Sequence, residues 1–464
     1  MTRRVCLLVL SAFLAAAAPA APPNIVVFFM DDVGYADLRI DGAVDARTPN
    51  LDRLAREGVR LTDCYAAAPV CTPTRAAFMT GRYQQRVGLE SVLAASLGNA
   101  DRGLSPAEPT LPRYLHDAGY ATGLFGKWHL GSRPEFQPNR HGFDEFFGFL
   151  GGALDYYSHL GEDGKHDLYE NDRPVELEGY LTDAITTRVI SFIERHAEEP
   201  FFVDVAYNAT HWPFQPPGVE KPEPFPSGEP GDVLRAWSGR GTREDYVRML
   251  ERADEGIGRI LATIDRLELR ENTLVIFTSD NGGEWLSHMG PLFNRKGTLW
   301  EGGLGVPCVF RWPARLPGKR VSRQPAITMD LTATILAAAG ATPRADRPLD
   351  GIDLLPILRG DAPAPERTFY WRAAGGRTAD RAVREGRWKF VGQSPYFPGL
   401  LFDLEADRGE RKDLAARHPE ILRRLAAKHE AWERAVVPAT QEEPKTGAPA
   451  PGAATHPEHG GARP

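Results

Sequence analysis

Asp31 and Asp32 follow one apolar run directly, and Asp280 and Asn281 follow another. Adjacent carboxylates repel unless a cation lies between them. All four side chains offer oxygen, which suits a hard divalent ion: calcium first, magnesium second. A lone Asp-Asp pair reads more simply as a solvated turn, because Asp is a common turn residue. The second acidic pair turns the reading toward a metal site. Lys127, His129, His211 and Lys296 supply the opposite sign. Taken singly, each reads as a satisfied histidine or a surface lysine. Grouped opposite a carboxylate cluster in a net acidic chain, they form a cationic pocket suited to a tetrahedral oxyanion.

Cys71 opens the segment Cys71-Thr72-Pro73-Thr74-Arg75-Ala76-Ala77-Phe78-Met79-Thr80-Gly81-Arg82. Pro73 suits a first helical turn and Gly81 a helix end. Cys71 is therefore expected at a helix amino terminus, where free N–H groups and the dipole favour anions. It reads either as a buried thiol or as a nucleophile, or its precursor, facing an anion. The chain has four cysteines. Cys6 lies in the leader described below, and Cys308 sits in the apolar run Val306 to Phe310, which suits an inert buried thiol. A Cys64–Cys71 bridge is an open alternative.

These residues need elements that bring them together. Apolar, β-rich runs cover Asn24 to Met30, Ala121 to Phe125, Phe201 to Tyr207, Thr273 to Thr278 and Val306 to Phe310. Their near-continuous hydrophobicity suits strands buried on both faces. Helical spacing appears after Thr48-Pro49-Asn50, over Leu181 to Ile193, and over Val247 to Leu267. Strands alternating with helices predict an α/β fold, a large, mostly parallel sheet sandwiched by helices. Ligands of such sheets bind beyond the carboxyl ends of the strands. Asp31, Lys127, Asn208 and Asp280 all fall just past such ends. From about residue 366 the texture changes. Thr368 to Arg372, Ala382 to Val391 and Leu400 to Leu404 read as short strands, and Pro419 to Val436 as a helix. The expected organisation is a catalytic α/β domain over 21–365 and a small antiparallel sheet plus helix over 366–437. A Pro-, Gly- and Ala-rich tail over 438–464 is expected to be disordered.

The 464 residues are 42% hydrophobic and 25% charged, an ordinary globular composition. With 55 basic and 62 acidic residues and no long basic run, nucleic acid is not an expected partner. Arg3 and Arg4 precede an apolar stretch from Val5 to Ala18 that closes on small residues. Residues 1–20 thus read as a signal peptide, and the mature chain as exported, periplasmic or secreted, with no stable membrane insertion. Losing those two arginines takes the formal charge from -7 to -9.

Cys71-Thr72-Pro73-Thr74-Arg75 resembles the C-x-P-x-R motif of the type I sulfatases, and Gly81-Arg82 continues the match. Gly126-Lys127-Trp128-His129-Leu130-Gly131, Ser279-Asp280-Asn281-Gly282-Gly283 and Lys296-Gly297-Thr298-Leu299-Trp300-Glu301-Gly302-Gly303 are similar to further motifs of that family. His141 to Gly148 and Asn208 to Pro213 resemble its N-acetylgalactosamine-6-sulfatase and arylsulfatase branch. The resemblance runs from about Asn24 to Val436 and implies an alkaline-phosphatase-like fold. It also implies that Cys71 is oxidised to formylglycine by a separate maturation enzyme, and that the formylglycine hydrate is the nucleophile. By the same resemblance, Asp31, Asp32, Asp280, Asn281 and modified Cys71 hold calcium. Arg75 fixes the formylglycine, Lys127 and Lys296 bind sulfate oxygens, His129 is the base, and His211 protonates the leaving oxygen. The implied substrate is a sulfated glycan or an aryl sulfate.

Specificity is expected from loops around this mouth. Candidates are Asp155, Tyr156, Tyr157 and His159, with His288, Asn294 and Arg295 ahead of Lys296. Two rival readings remain: a phosphonate monoester or phosphodiester hydrolase of the same superfamily, and an inactive glycan-binding relative in which Cys71 is never converted.

Overall fold

The structure is a computed structural model that describes residues 21–218, 226, 228–373, 380–393 and 399–437. The expected leader over 1–20 and tail over 438–464 lie outside the described residues. The five apolar runs fold as the strands Asn24–Met30, Ala121–Lys127, Phe201–Ala206, Thr273–Ser279 and Cys308–Arg311. They join a ten-stranded sheet. Its spatial order is Arg320–Ser322, Val59–Leu61, Cys308–Arg311, Thr273–Ser279, Asn24–Met30, Phe201–Ala206, Ala121–Lys127, Glu145–Phe149, Tyr169–Glu170, Arg173–Pro174. The five strands from Thr273–Ser279 to Glu145–Phe149 are mutually parallel. Cys308–Arg311 runs antiparallel to both of its neighbours, so the sheet is mixed.

The central strand shows why the run is continuous in hydrophobicity. Val26, Phe28 and Met30 face one layer, packed with helices Pro49–Glu57, Leu181–Arg195 and Arg243–Arg266. Ile25, Val27 and Phe29 face the other, packed with helices Cys71–Thr80, Leu111–Asp117 and Thr328–Ala339. Both faces are dry, so no polar alternation survives in the sequence. These two layers make the α/β sandwich that the sequence implied.

The C-terminal segment forms a four-stranded antiparallel sheet in chain order: Thr368–Ala373, Asp380–Glu385, Trp388–Gln393 and Leu400–Asp403. Helix Pro419–Val436 packs on it. The single strand expected over Ala382 to Val391 is instead a hairpin. Gly386, at φ 57°, makes the left-handed turn that Ala382 to Val391 would otherwise run through. Phe369, Trp371, Phe402 and Trp432 share one apolar cluster with Tyr65, Ala77, Leu304 and Ile327 of the main body.

Candidate active site

The strands fold so that their carboxyl ends converge. Asn24–Met30 delivers Asp31 and Asp32, Ala121–Lys127 ends on Lys127, and Thr273–Ser279 delivers Asp280 and Asn281. Helix Cys71–Thr80 points its amino terminus at the same place, with Cys71 as its first residue. Two glycines permit this convergence. A Cβ on Gly126, at φ 123°, would sit 2.0 Å from the Ala206 carbonyl oxygen. One on Gly282 would sit 1.9 Å from the Gly302 carbonyl oxygen, so the Asp280 turn and the Lys296 loop could not close together. Lys296 N–H also bonds the Gly283 carbonyl at 3.1 Å. Asp32 and His129 hold left-handed backbone at φ 64° and 58°, strain of the kind that collects at functional sites.

Here the opposite charges meet at close range. Asp31 Oδ2 lies 2.6 Å from Lys127 Nζ, and its Oδ1 takes the Cys71 thiol at 3.6 Å. Asp32 Oδ2 lies 2.7 Å from Lys296 Nζ and 3.7 Å from His211 Nε2, while its Oδ1 accepts from Asn281 Nδ2 at 2.6 Å. Asp280 Oδ2 takes Arg75 Nε at 3.0 Å, and Arg75 Nη1 reaches the Lys127 carbonyl at 3.1 Å. All of these side chains are buried or nearly so. Burial, then the neighbouring Asp31, pushes the Asp280 carboxyl up. Burial is the largest single effect on Lys296 and works against its charge, but Asp32, Cys71, Asp31 and Glu284 together outweigh it and hold that ammonium well above its ordinary range. The Cys71 thiol is pushed up to about 12, chiefly by burial.

The two histidines have fixed tautomers. His129 Nε2 lies 2.8 Å from the Leu93 carbonyl and His211 Nδ1 lies 2.7 Å from the Trp212 carbonyl. A carbonyl only accepts, so each of those nitrogens carries the proton. His129 Nδ1 and His211 Nε2 are left as acceptors, and His129 Nδ1 is buried without a partner. Burial first, then the nearby lysines, holds both rings well below the ordinary histidine range. Thr72 sets His129 relative to Cys71. Its hydroxyl donates to the His129 carbonyl at 3.1 Å and accepts the Leu93 N–H at 3.2 Å. The sequence carried no sign of this circuit, because Leu93 takes part through its backbone alone.

The donor set fits a hard divalent ion. One ligand atom each from Asp31, Asp32, Cys71 and His211 lies within 4.8 Å of the others. The Asn281 Oδ1 is buried and has no hydrogen-bond partner, an oxygen that a cation would satisfy. Asp280 lies beside this group, with Arg75 on one carboxylate oxygen and the Asp32 N–H at 3.4 Å on the other.

The loop candidates separate. Asp155 and Tyr156 are buried and committed to the protein. Asp155 accepts from Tyr157 N–H, Ser158 N–H and Gln215 Nε2, and Tyr156 OH donates to the carbonyls of Asn208 and His211. They brace the turn that carries His211 and present no free polar atom outward, which corrects the expectation that they meet substrate. Tyr157 likewise spends its hydroxyl on the Pro216 carbonyl. His159 is also buried, at φ 57°. His288 turns toward Asp45, 3.5 Å away. Arg295 and Asn294 line an open cleft beside the anion pocket with Glu284, Trp285, Ser287 and Met289. Trp285 and Glu284 were missed because neither belongs to a motif. Cys64, Cys71 and Cys308 are all free thiols. The open Cys64–Cys71 alternative is not realised, because Cys71 faces Asp31 while Cys64 meets the Cys308 thiol.

Comparison with known proteins agrees with this geometry. Residues 23–341 match the family model described as Sulfatase. The chain is 37% identical over 393 residues to N-acetylgalactosamine-6-sulfatase of Canis lupus familiaris, covering 80% of this chain and 72% of that one. It is 32% identical to the steryl-sulfatase of Mus musculus, covering 94% and 86%. The crystal structure of Ps i-CgsB superposes with a TM-score of 0.80 at 30% identity, covering 89% of this chain and 92% of that one. A second structure of Ps i-CgsB, in complex with k-i-k-neocarrahexaose, gives 0.79. With the strand-end carboxylates, the buried lysines and the Cys71 helix all in register, the chain belongs to the sulfatase family and is a sulfuric ester hydrolase.

Proposed function

We propose that the protein removes sulfate from a sulfated carbohydrate, using a formylglycine made from Cys71 and a calcium ion. The observation that carries this reading is the position of Cys71. It sits first in a buried helix, 3.6 Å from Asp31, among Arg75, Lys127 and Lys296. A thiol held up to about 12 is protonated at neutral pH and is a poor nucleophile, so the position makes sense once sulfur is replaced. A hydrated aldehyde there supplies one hydroxyl to attack sulfur and a second whose deprotonation releases the sulfate. Asp31, Asp32, Asp280 and Asn281 would hold the calcium, which supplies charge neutralisation to the attacking and sulfate oxygens.

The chain's own groups carry the other work. Lys127 and Lys296 point their ammonium groups into the pocket and bind sulfate oxygens there. Arg75 neutralises Asp280 and keeps it from displacing the anion. His129 Nδ1 is unprotonated and partnerless, so it accepts the proton whose loss frees the sulfate. His211 Nε2 faces the site; a bound sulfate beside it raises its proton affinity, so the ring takes up a proton from solvent as substrate binds and hands that proton to the departing sugar oxygen. A carbohydrate substrate is supported by the relatives: one is named for N-acetylgalactosamine-6-sulfate and another was solved with a neocarrahexaose. Export to the periplasm or beyond agrees with the leader, and among the described residues no helix is long and apolar enough to cross a membrane.

Side-by-side assay of the sulfate ester and the phosphate diesters of 4-nitrophenol on matured protein tests this reading. Faster sulfate turnover is expected. Faster phosphodiester turnover would replace it with the phosphohydrolase reading, and native protein that turns over neither ester and keeps Cys71 entirely as the thiol would leave a glycan-binding relative.

A further inference from the structure

A cleft of about 410 Å³ opens beside the anion pocket, lined by Glu284, Trp285, Ser287, Met289, Asn294 and Arg295. We propose that it is an outer carbohydrate subsite, taking an anionic sugar ring that neighbours the ring bearing the scissile sulfate. The proposal rests on the sulfatase reading and adds to it a substrate class: an oligosaccharide or polysaccharide with charge on adjacent units.

Both walls of the cleft are continuous with the anion pocket. Glu284 and Trp285 follow Asp280 and Asn281 after two glycines, and Asn294 and Arg295 directly precede Lys296. The Lys296 N–H to Gly283 carbonyl bond ties one wall to the other. A ring placed here therefore lies against the two chain segments that lead into Asp280 and Lys296.

Trp285 is held as a platform. It is 39% exposed, one of the few large hydrophobic side chains so open among the described residues. Its Nε1–H donates to the Ser238 carbonyl at 2.8 Å, and Phe214 meets it edge-on, centroids 6.1 Å apart. The indole thus cannot fold back onto the protein without losing both contacts. A fixed aromatic face beside a few polar groups suits the apolar face of a pyranose ring. Arg295 supplies the charge. Its side chain is 49% exposed, and its Nε meets Glu284 Oε1 only at 4.0 Å. Among the described residues its guanidinium donates no shorter contact. The planar fork matches a carboxylate or a second sulfate in two parallel bonds. Asn294, at φ 64°, accepts the Arg295 N–H on its own side chain at 3.1 Å, fixing the turn that presents Arg295. Glu284, opposite Arg295, accepts sugar hydroxyls and repels a chain whose charge falls on the wrong side of the ring.

The test compares matured wild type with Trp285→Ala, Trp285→Phe and Arg295→Gln. The substrates are 4-nitrophenyl sulfate, N-acetylgalactosamine 6-sulfate, a chondroitin 6-sulfate tetrasaccharide with neighbouring uronates, and a κ-carrageenan tetrasaccharide with a neighbouring sulfate. At least one tetrasaccharide is expected to show a lower KM than the monosaccharide. Trp285→Ala should raise that KM about tenfold, the size of one aromatic contact, with most of the loss restored in Trp285→Phe. Arg295→Gln should act in the same direction, and each change should be smaller for 4-nitrophenyl sulfate. Equal effects on the aryl sulfate and the tetrasaccharides, or no preference for either tetrasaccharide, would overturn the subsite. Failure of wild type on 4-nitrophenyl sulfate strikes the sulfatase reading instead. The subsite is then read by binding: retardation of the Cys71→Ala chain in gels containing either polysaccharide, lost on adding Trp285→Ala, supports it, and no retardation overturns it.

Discussion

Cys71 is most informative for what it cannot do unmodified. Its sulfur is buried near a carboxylate, and burial pushes the thiol up to about 12, so it stays protonated at neutral pH. Residue types in the sequence marked the charged set well, because carboxylates, lysines and histidines at strand ends have few other uses in such number. They did not reveal which histidine nitrogen is free, since that depends on the backbone carbonyls of Leu93 and Trp212. Nor did they separate braces from ligands: Tyr156 looks outward as an aromatic in a glycine-rich loop, yet its hydroxyl is used beneath His211. Asp204 was invisible to motif reading. It lies inside the central sheet with Oδ1 unpaired, and burial, eased by Arg75, raises its carboxyl to about 7. The folded pKa lies above the usual 3.8, so its contribution to stability is complete below about pH 4 and is lost as the pH rises through about 7. Asp204→Asn is expected to melt close to wild type at pH 4 and above it at pH 8. Thermal melts at both values check this; a lower melting point at pH 8 would mean that the ionised pair with Arg75 is stabilising.

At the scale of elements, the parallel strands were legible because both faces are dry and the runs are short. Helix Thr328–Ala339 was not, since burial on nearly every side leaves no polar stripe to give it a period. The hairpin at Gly386 was hard to see because apolar positions recur on both sides of it, at Ala382, Val383, Phe390 and Val391, and only one glycine marks the turn. That hairpin has a purpose beyond packing. Strand Trp388–Gln393 carries Lys389, fully buried, between Glu301 Oε1 at 2.8 Å and Glu410 Oε1 at 2.9 Å. Glu301 ends the loop that starts at Lys296, and its N–H bonds Glu410 Oε2 at 2.6 Å. The small sheet thereby pins the loop that delivers Lys296 to the carboxylate cluster. Lys389→Met leaves two buried carboxylates without their cation, a loss of about 3–5 kcal/mol. A large drop in melting temperature is expected, partly recovered by adding Glu410→Gln; an unchanged melt would show that the cluster contributes nothing.

At the scale of the whole molecule, one sheet gathers groups from positions 31 to 296 at a single edge, and the topology rule for parallel sheets locates that edge from the order of apolar runs alone. The same gathering crowds three carboxylates together, and an ion among them should stabilise the entire fold. Removal of divalent metal with a chelator is expected to lower the melting temperature, and calcium to restore it more fully than magnesium, by about 3–4 kcal/mol at concentrations well above the dissociation constant. An unmoved melt on chelation would argue against the ion. The cleft, by contrast, was half legible: Arg295 stood out beside Lys296, but Trp285 gained meaning only when its indole was found pinned to Ser238.

The most direct check of the central claim is the mass of the Cys71 peptide measured alongside turnover of 4-nitrophenyl sulfate in the same preparations. The expected result is a peptide lightened by exchange of the thiol sulfur and a pair of hydrogens for a single oxygen, with turnover proportional to the fraction converted and absent in Cys71→Ala. Full turnover from protein whose Cys71 is entirely thiol would contradict it.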